Sequence, residues 1–446
     1  MTWVLIAYGA ILLAIAALSL KYNDSFENFL VAGRKQPRFL IVASMLASTI
    51  GGGITIGTVN KAFSMGFAAF WFVAAGAIAH FLQGAFVSKK VRESEALTLP
   101  DLASKLAGPA SRYLVSIIVV LTWTGIAAAQ FLAASKVITT MTGLAPQWGV
   151  GIAALFLLVY TLIGGQKSVL RTDFFQFGVL AIALAVSLGW LFIARAPAPG
   201  SLKIELFSPK FGPLDFVYYL IVVGGSYFIC PMMFGRILSS DSPANARKSS
   251  FMSGIGMTIF AFAITFVGLW AKASGFDPGK LDPLNAIAKN VLPGALGVAM
   301  MVGILAAILS TGDTVLITAA GIIENDILGR KTIAGVRLWI VVIAVFGTLI
   351  ALFEKDIVDL LLKTYNGYTA GIVPALFVAI VAMGKRKPHG GIFFAAILIG
   401  YVLGMAGSLA KDPNLSKWLP LGGLVASLLI SLIALYVGPG KKESAL

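Results

Sequence analysis

Apolar stretches of roughly 18 to 30 residues recur along the whole chain, separated by short loops that carry its charges; about 20 such residues, rising 1.5 Å each, cross a hydrocarbon core of roughly 30 Å. Backbone groups in lipid must bond within their own segment or a closed barrel. Barrel strands are about ten residues long and alternate in polarity, which these segments do not. The pattern therefore predicts an all-α membrane protein of about 13 transmembrane helices. They fall near 3–20, 39–58, 66–88, 111–134, 146–165, 173–193, 216–238, 251–271, 292–323, 334–353, 364–383, 389–407 and 418–437. The first stretch has no basic residue ahead of it and reads as a retained helix rather than a cleaved signal.

Two spans contain poor helix formers. The second holds Ser48-Thr49-Ile50-Gly51-Gly52-Gly53, and the seventh holds Gly224-Gly225 ahead of Pro231. Consecutive glycines weaken a helix, and proline removes a donor and clashes with the preceding turn. Glycine also lets helices pack closely, so a single pair would carry little. The breaks lie five spans apart, however, as an inverted repeat of five helices would place them, and paired interruptions point to a binding site near the midplane. The chain then divides into a peripheral helix and loop (1–38), a first repeat (39–193), an external loop (194–215), a second repeat (216–383), and peripheral helices with a short tail (384–446).

Composition agrees: 58% of the 446 residues are hydrophobic and 12% charged, about half the charge of an average soluble domain. The formal charge of +15 reflects loop placement rather than nucleic-acid binding. With the N-terminus outside, the cytoplasmic segments hold Lys21, Arg34, Lys35, Arg38, Lys89, Lys90, Arg92, Lys105, Arg112, Lys167 and Arg171. They also hold Arg236, Arg247, Lys248, Arg330, Lys331, Arg337, Lys385, Arg386, Lys387, Lys441 and Lys442. That bias follows the positive-inside rule and puts the C-terminus in the cytoplasm, with the protein in a prokaryotic inner membrane. The single cysteine, Cys230, excludes a disulfide within the chain.

Two acids fall inside spans. Asp313, within Leu309-Ser310-Thr311-Gly312-Asp313-Thr314, needs a proton, a cation or water, because an isolated carboxylate in hydrocarbon is costly. A protonated carboxyl bonded to a neighbouring helix would also serve. Asp173 follows Thr172 at the start of span six, where helix-start chemistry is an alternative. Sodium, a hard cation, takes oxygen ligands. Ser310 and Thr311 supply hydroxyls, although such a pair commonly bonds back to the i−4 carbonyl. Carbonyls near Ala47 and Ile50, released by the break, and that of Ala307 one turn before Thr311 complete a plausible set.

Several segments resemble the sodium:solute symporter family. Phe29-Leu30-Val31-Ala32-Gly33-Arg34 is similar to the entry of its first core helix. Gly164-Gly165, Ser168-Val169, Thr172-Asp173 and Gln176 resemble its GG…xV..TD..Q signature, Arg236 its arginine after the second break, and Leu305 to Ile327 its eighth core helix. The resemblance implies a five-plus-five inverted-repeat (LeuT-like) core with broken helices. It also implies a principal sodium site at Ala47, Ile50, Ala307, Ser310 and Thr311. A second sodium, held by some members, would take Asp173, Ser310, Asp313 and Thr314. Asp313, Gly51-Gly52-Gly53 and Phe234 to Ser240 look most like the choline branch. Yet Thr49 and Cys230 stand where that branch has caging tryptophans, and a quaternary ammonium needs aromatic faces.

Substrate liners expected between the breaks are Thr49, Gly53, Gln83, Gln130, Tyr227, Phe228, Cys230, Tyr365 and Tyr368, with no Lys or Arg at the midplane. The reading is sodium-coupled symport, with one or two coupling ions, of a small polar organic solute by alternating access. Membrane lipids are its other contact; no nucleic acid or obligatory protein partner is expected. Alternatives are proton-coupled or exchange transport of a cationic amine paired with Asp313, and a non-transporting membrane sensor. An enzyme is not expected, since His80 and His389 lie far apart in sequence and no nucleophile–histidine pair is visible.

Overall fold

The structure, a computed structural model, describes residues 2–18 and 25–439. Lys21, Lys441 and Lys442, with the end of the span at 3–20 and most of the tail, lie outside the described residues. The principal helices are α1 (Thr2–Leu18), α2 (Arg38–Thr49), α3 (Gly53–Glu93), α4 (Pro109–Thr142), α5 (Pro146–Ile163), α6 (Gln166–Ala194) and α7 (Pro213–Phe228). They continue as α8 (Pro231–Ser239), α9 (Pro243–Ala273), α10 (Gly294–Ile327), α11 (Ile333–Phe353), α12 (Ile357–Ala382), α13 (Gly390–Leu409) and α14 (Leu415–Val437).

Among the described residues ten helices are long and apolar enough to cross a membrane, or eleven if the bent pair α7–α8 counts as one span, against the thirteen expected. The stretch at 39–58 gives a helix of 12 residues, cut short by the break, and the stretch at 3–20 is described only as far as Leu18. The remainder of 39–58 and the stretch at 66–88 share one helical run, α3. Gly66, at φ +78°, turns the chain within that run, a conformation that costs other residues a Cβ clash.

Both interruptions show the same backbone excursion. Ile50 ends α2 at φ −88°, ψ 77°, and Ile229 ends α7 at φ −111°, ψ 88°. Pro231 takes the first position of α8, where its missing N–H costs nothing, and the preceding Cys230 is extended (φ −123°, ψ 117°), as a residue before proline prefers. The expectation that Gly224-Gly225 unwinds is corrected: both lie in helix. A Cβ at Gly225 would sit 2.5 Å from Thr369 Cγ2, and one at Gly224 3.1 Å from the Ala75 carbonyl oxygen. These glycines serve close packing.

Around the breaks, α4, α10 and α12 are the most buried spans. Helix α10 packs on α2, α4 and α6, α1 packs on the flank formed by α5 and α6, and α13 and α14 pack on α12. Polarity is inverted relative to a soluble protein. Ile193, Phe353 and Leu409 are exposed, whereas Ser44, Ser48, Asp173, Arg236, Ser310 and Asp313 are buried. Lipid makes the first arrangement favourable, and only mutual hydrogen bonding makes the second tolerable.

Candidate ion and solute site

The polar cluster is assembled from four helices. Ser44 and Ser48 lie one turn apart on α2 and so share a face. Asp173 comes from α6, Arg236 from α8, and Ser310, Asp313 and Thr314 from α10. Arg236 and Asp173 form an ion pair at 3.0 Å, both side chains fully buried. Arg236 Nη2 also donates to Ser48 Oγ and Thr314 Oγ1, each at 2.6 Å, and Nε donates to Ser44 Oγ at 3.0 Å. Those serines pass hydrogen bonds on to Asp173 Oδ2: Ser44 Oγ donates to it, and Ser48 Oγ lies 3.3 Å away. Ser310 Oγ donates to Asp173 Oδ1 at 2.5 Å. A buried ion pair is tolerated only when its remaining hydrogen-bonding capacity is met in this way.

One expectation is corrected here: Arg236, counted among the cytoplasmic loop cations, is buried within the cluster, where it pairs with Asp173. Asp313 is less satisfied. Its Oδ1 accepts from Thr314 Oγ1 at 3.2 Å, while its buried Oδ2 has no hydrogen-bond partner. Nearby, Tyr160 donates to Thr172 Oγ1 at 2.5 Å.

The break in α2 lies against the same face of α10. Gly51 N–H bonds to Thr49 O at 3.1 Å instead of closing a helical turn onto Ala47, so the Ala47 carbonyl loses its ordinary donor. Thr311 Oγ1 lies 3.2 Å from Ser48 O and 3.1 Å from Ala307 O. Ser310 and Thr311 therefore direct their protons at a carboxylate and at carbonyls. That leaves their hydroxyl lone pairs free, the donor type a hard cation takes.

The residues expected to line the solute site separate into two groups. Thr49, Gly53, Gln130, Tyr227 and Tyr365 border a cavity of about 20 Å³ between the breaks, room for about one water molecule. The Tyr227 and Tyr365 rings meet edge-on, with centroids 6.3 Å apart. Gln83, Phe228, Cys230 and Tyr368 do not border it. Phe228 packs on Phe377, with centroids 5.3 Å apart, and Cys230 is buried. Three residues hold the interruptions open. Gln130 Oε1 accepts from Gly52 N–H at 3.0 Å, Gln83 Nε2 donates to Phe228 O at 3.1 Å, and Tyr368 OH donates to Ile229 O. Gly52 faces Ala133 so closely that a Cβ would sit 2.2 Å from the alanine methyl. Gly52→Val should separate the break from α4 at a cost of about 1–3 kcal/mol. Loss of sodium-dependent thermal stabilisation in the variant is the expected readout.

Sequence reasoning missed five residues. Ser44 and Ser48 were legible as an i, i+4 hydroxyl pair on the helix that breaks. His80, whose Nε2 lies 3.1 Å from Thr49 Oγ1, carried no signal. Glu324 and Asp326 are buried at the end of α10, where Asp326 pairs with Arg112 at 2.8 Å; they read as span-edge acids.

A family model described as the sodium:solute symporter family matches residues 29–400. The sodium/proline symporter of Staphylococcus aureus is 24% identical over 479 residues, covering 98% of this chain and 92% of the relative. Among solved structures, a Na+-coupled sialic acid symporter in a substrate-bound outward-open state aligns with a TM-score of 0.77 at 16% identity, covering 99% of this chain and 98% of that one. A nucleobase-cation-symport-1 family transporter in a closed conformation aligns at 0.64 and 15% identity, covering 93% and 95% of the two chains. At these identities the structures speak for the fold, an inverted-repeat core with broken helices.

Proposed function

This chain belongs to the sodium:solute symporter family, whose members are secondary transporters rather than enzymes, and from that premise we propose that it couples entry of sodium at the α2–α10 contact to uptake of a small polar organic solute. Sodium-coupled symport of an organic solute is the activity of the family. The finer assignment is carried by one observation: Ser310 and Thr311 face the interrupted α2 with their protons committed elsewhere. Ala47, Ile50 and Ala307 would add carbonyl oxygens. An ion there stabilises the conformation whose helices supply its ligands, and coupling follows because the solute selects the same conformation.

The solute would sit between the breaks, against Thr49, Gly53, Gln130, Tyr227 and Tyr365. These groups are hydroxyl, amide and aromatic, which suits a neutral or zwitterionic solute. The branch that takes choline shares the local Gly51-Gly52-Gly53 and Asp313 pattern. With Thr49 and Cys230 at the cage positions, a hydrogen-bonding solute fits this reading better than a quaternary ammonium. Pairing of a cationic amine with Asp313 loses support, since Asp313 does not border the cavity. We place the repeats at 39–193 and 216–383, the N-terminus outside and the C-terminus in the cytoplasm.

The test is a thermal-shift panel of small polar solutes on purified protein, run in sodium and in potassium chloride. Sodium alone should raise the melting midpoint, and the correct solute should raise it further only in sodium. Equal midpoints in the two salts would reject the ion site. Sodium binding without turnover of any solute in proteoliposomes would favour a sensor instead.

A further inference from the structure

The ligand set that a second sodium would need is Asp173, Ser310, Asp313 and Thr314, and the side chains present do not fit a metal ion there. Arg236 Nη2 already lies 3.0 Å from Asp173 Oδ2 and 2.6 Å from Thr314 Oγ1. The other oxygen of Asp173 receives the Ser310 proton. The guanidinium is also held from three further sides, by Ser48 Oγ at 2.6 Å, Ser44 Oγ at 3.0 Å and its own Met232 carbonyl at 3.3 Å. A planar, permanently charged fork with donors on every edge is suited to such a place. A metal cation entering this position would have to take the same oxygens while standing beside a like charge.

We propose that Arg236 is a built-in cation occupying the position of a second sodium, so that the protein binds one sodium ion per chain. The inference rests on the sodium-symport reading above and adds to it the number of coupling ions and the residue that sets it.

The ligands at the α2–α10 contact are all neutral oxygens, so a monovalent ion bound there leaves the Arg236 position untouched, whereas one placed between Asp173 and Thr314 would stand beside the guanidinium in a low-dielectric interior. Arg236 is thus a positioning residue: it holds Asp173 and, through Ser48, the end of the interrupted helix.

The count can be read directly by equilibrium binding of radioactive sodium to the purified full-length protein in lipid nanodiscs, with no solute present. The wild-type protein should saturate at one ion per chain with a Hill coefficient near one. Arg236→Met, which frees Asp173 and Thr314 and removes the resident charge, should saturate at two. Arg236→Lys, which keeps the charge, should remain at one. Two ions bound by the wild-type protein overturn the proposal and leave the symport reading intact, and so does a folded Arg236→Met that still binds one. No saturable sodium binding by the wild type would instead strike the underlying reading. The wild-type count decides the matter even if Arg236→Met does not fold.

Discussion

Replacing Ser310 and Thr311 together by alanine should raise the sodium concentration for half-maximal stabilisation and uptake by on the order of 100-fold. A hydrogen bond or contact to a charged group contributes about 1.5–3 kcal/mol, so two lost hydroxyls remove at least about 3 kcal/mol, and each 1.4 kcal/mol is tenfold. The single variants should differ in kind. Thr311→Ala deletes one oxygen beside Ser48 O and Ala307 O and leaves the Asp173–Arg236 pair untouched. Its effect should fall on sodium affinity alone. Ser310→Ala also removes the donor to Asp173 Oδ1, so it should lower stability in the absence of sodium as well. Thr311→Ser retains the oxygen and should restore most of the affinity. Sodium titrations of the melting midpoint separate these cases. An unshifted half-saturation in the folded double variant would remove sodium from the α2–α10 contact.

Local chemistry explains why some of this architecture was visible in the sequence. Span-length apolar runs carry their own signal, because lipid imposes length and composition on each helix separately. The interruption after Thr49 was readable because a run of glycines weakens a helix, although the excursion itself falls at Ile50 and Gly53 already begins α3. The second was located only approximately: Pro231 marks it, whereas Gly224-Gly225 are packed helix. The sequence shows hydrophobic length and not where a helix turns at Gly66 or stops at Thr49, so it does not mark the ends of α2 and α3.

The cluster itself was legible only in part, for a different reason. Ser310, Thr311 and Asp313 stand out as polar residues in an apolar helix, and Asp173 stands out more weakly at a helix start. Arg236 follows a break and precedes Ser239-Ser240, so its sequence context is that of a loop cation. Its burial depends on helices 63 and 188 residues away in the chain, and no periodicity within α8 encodes that. Likewise Gln83 and Gln130 read as pocket residues because they are amides in apolar spans. The backbone groups they satisfy exist only once the partner helices have broken.

The largest stability effect is expected from Asp173→Ala. Removing this carboxylate strands the fully buried Arg236 guanidinium, and breaking a buried pair from one side costs about 3–5 kcal/mol. Ser44 and Ser48 would still accept hydrogen bonds from Arg236 but carry no charge to offset it. Replacing the pair by apolar groups of similar volume is often neutral, since neither charge then needs solvation. Leucine at 173 with methionine at 236 should therefore recover most of the loss, although Asp313 then lacks a nearby cation. A double-mutant cycle in detergent-denaturation titrations isolates this coupling. Additive losses would show that the 3.0 Å contact contributes little and that the cluster is held by its hydroxyls. The same cycle repeated with and without sodium distinguishes a structural pair from a coupling one. In the doubly substituted protein the neutral oxygens at the α2–α10 contact are all retained, so sodium should stabilise it about as strongly as it does the wild type. If sodium stabilisation vanishes with the pair, Asp173 and Arg236 take part in the ion-dependent step itself.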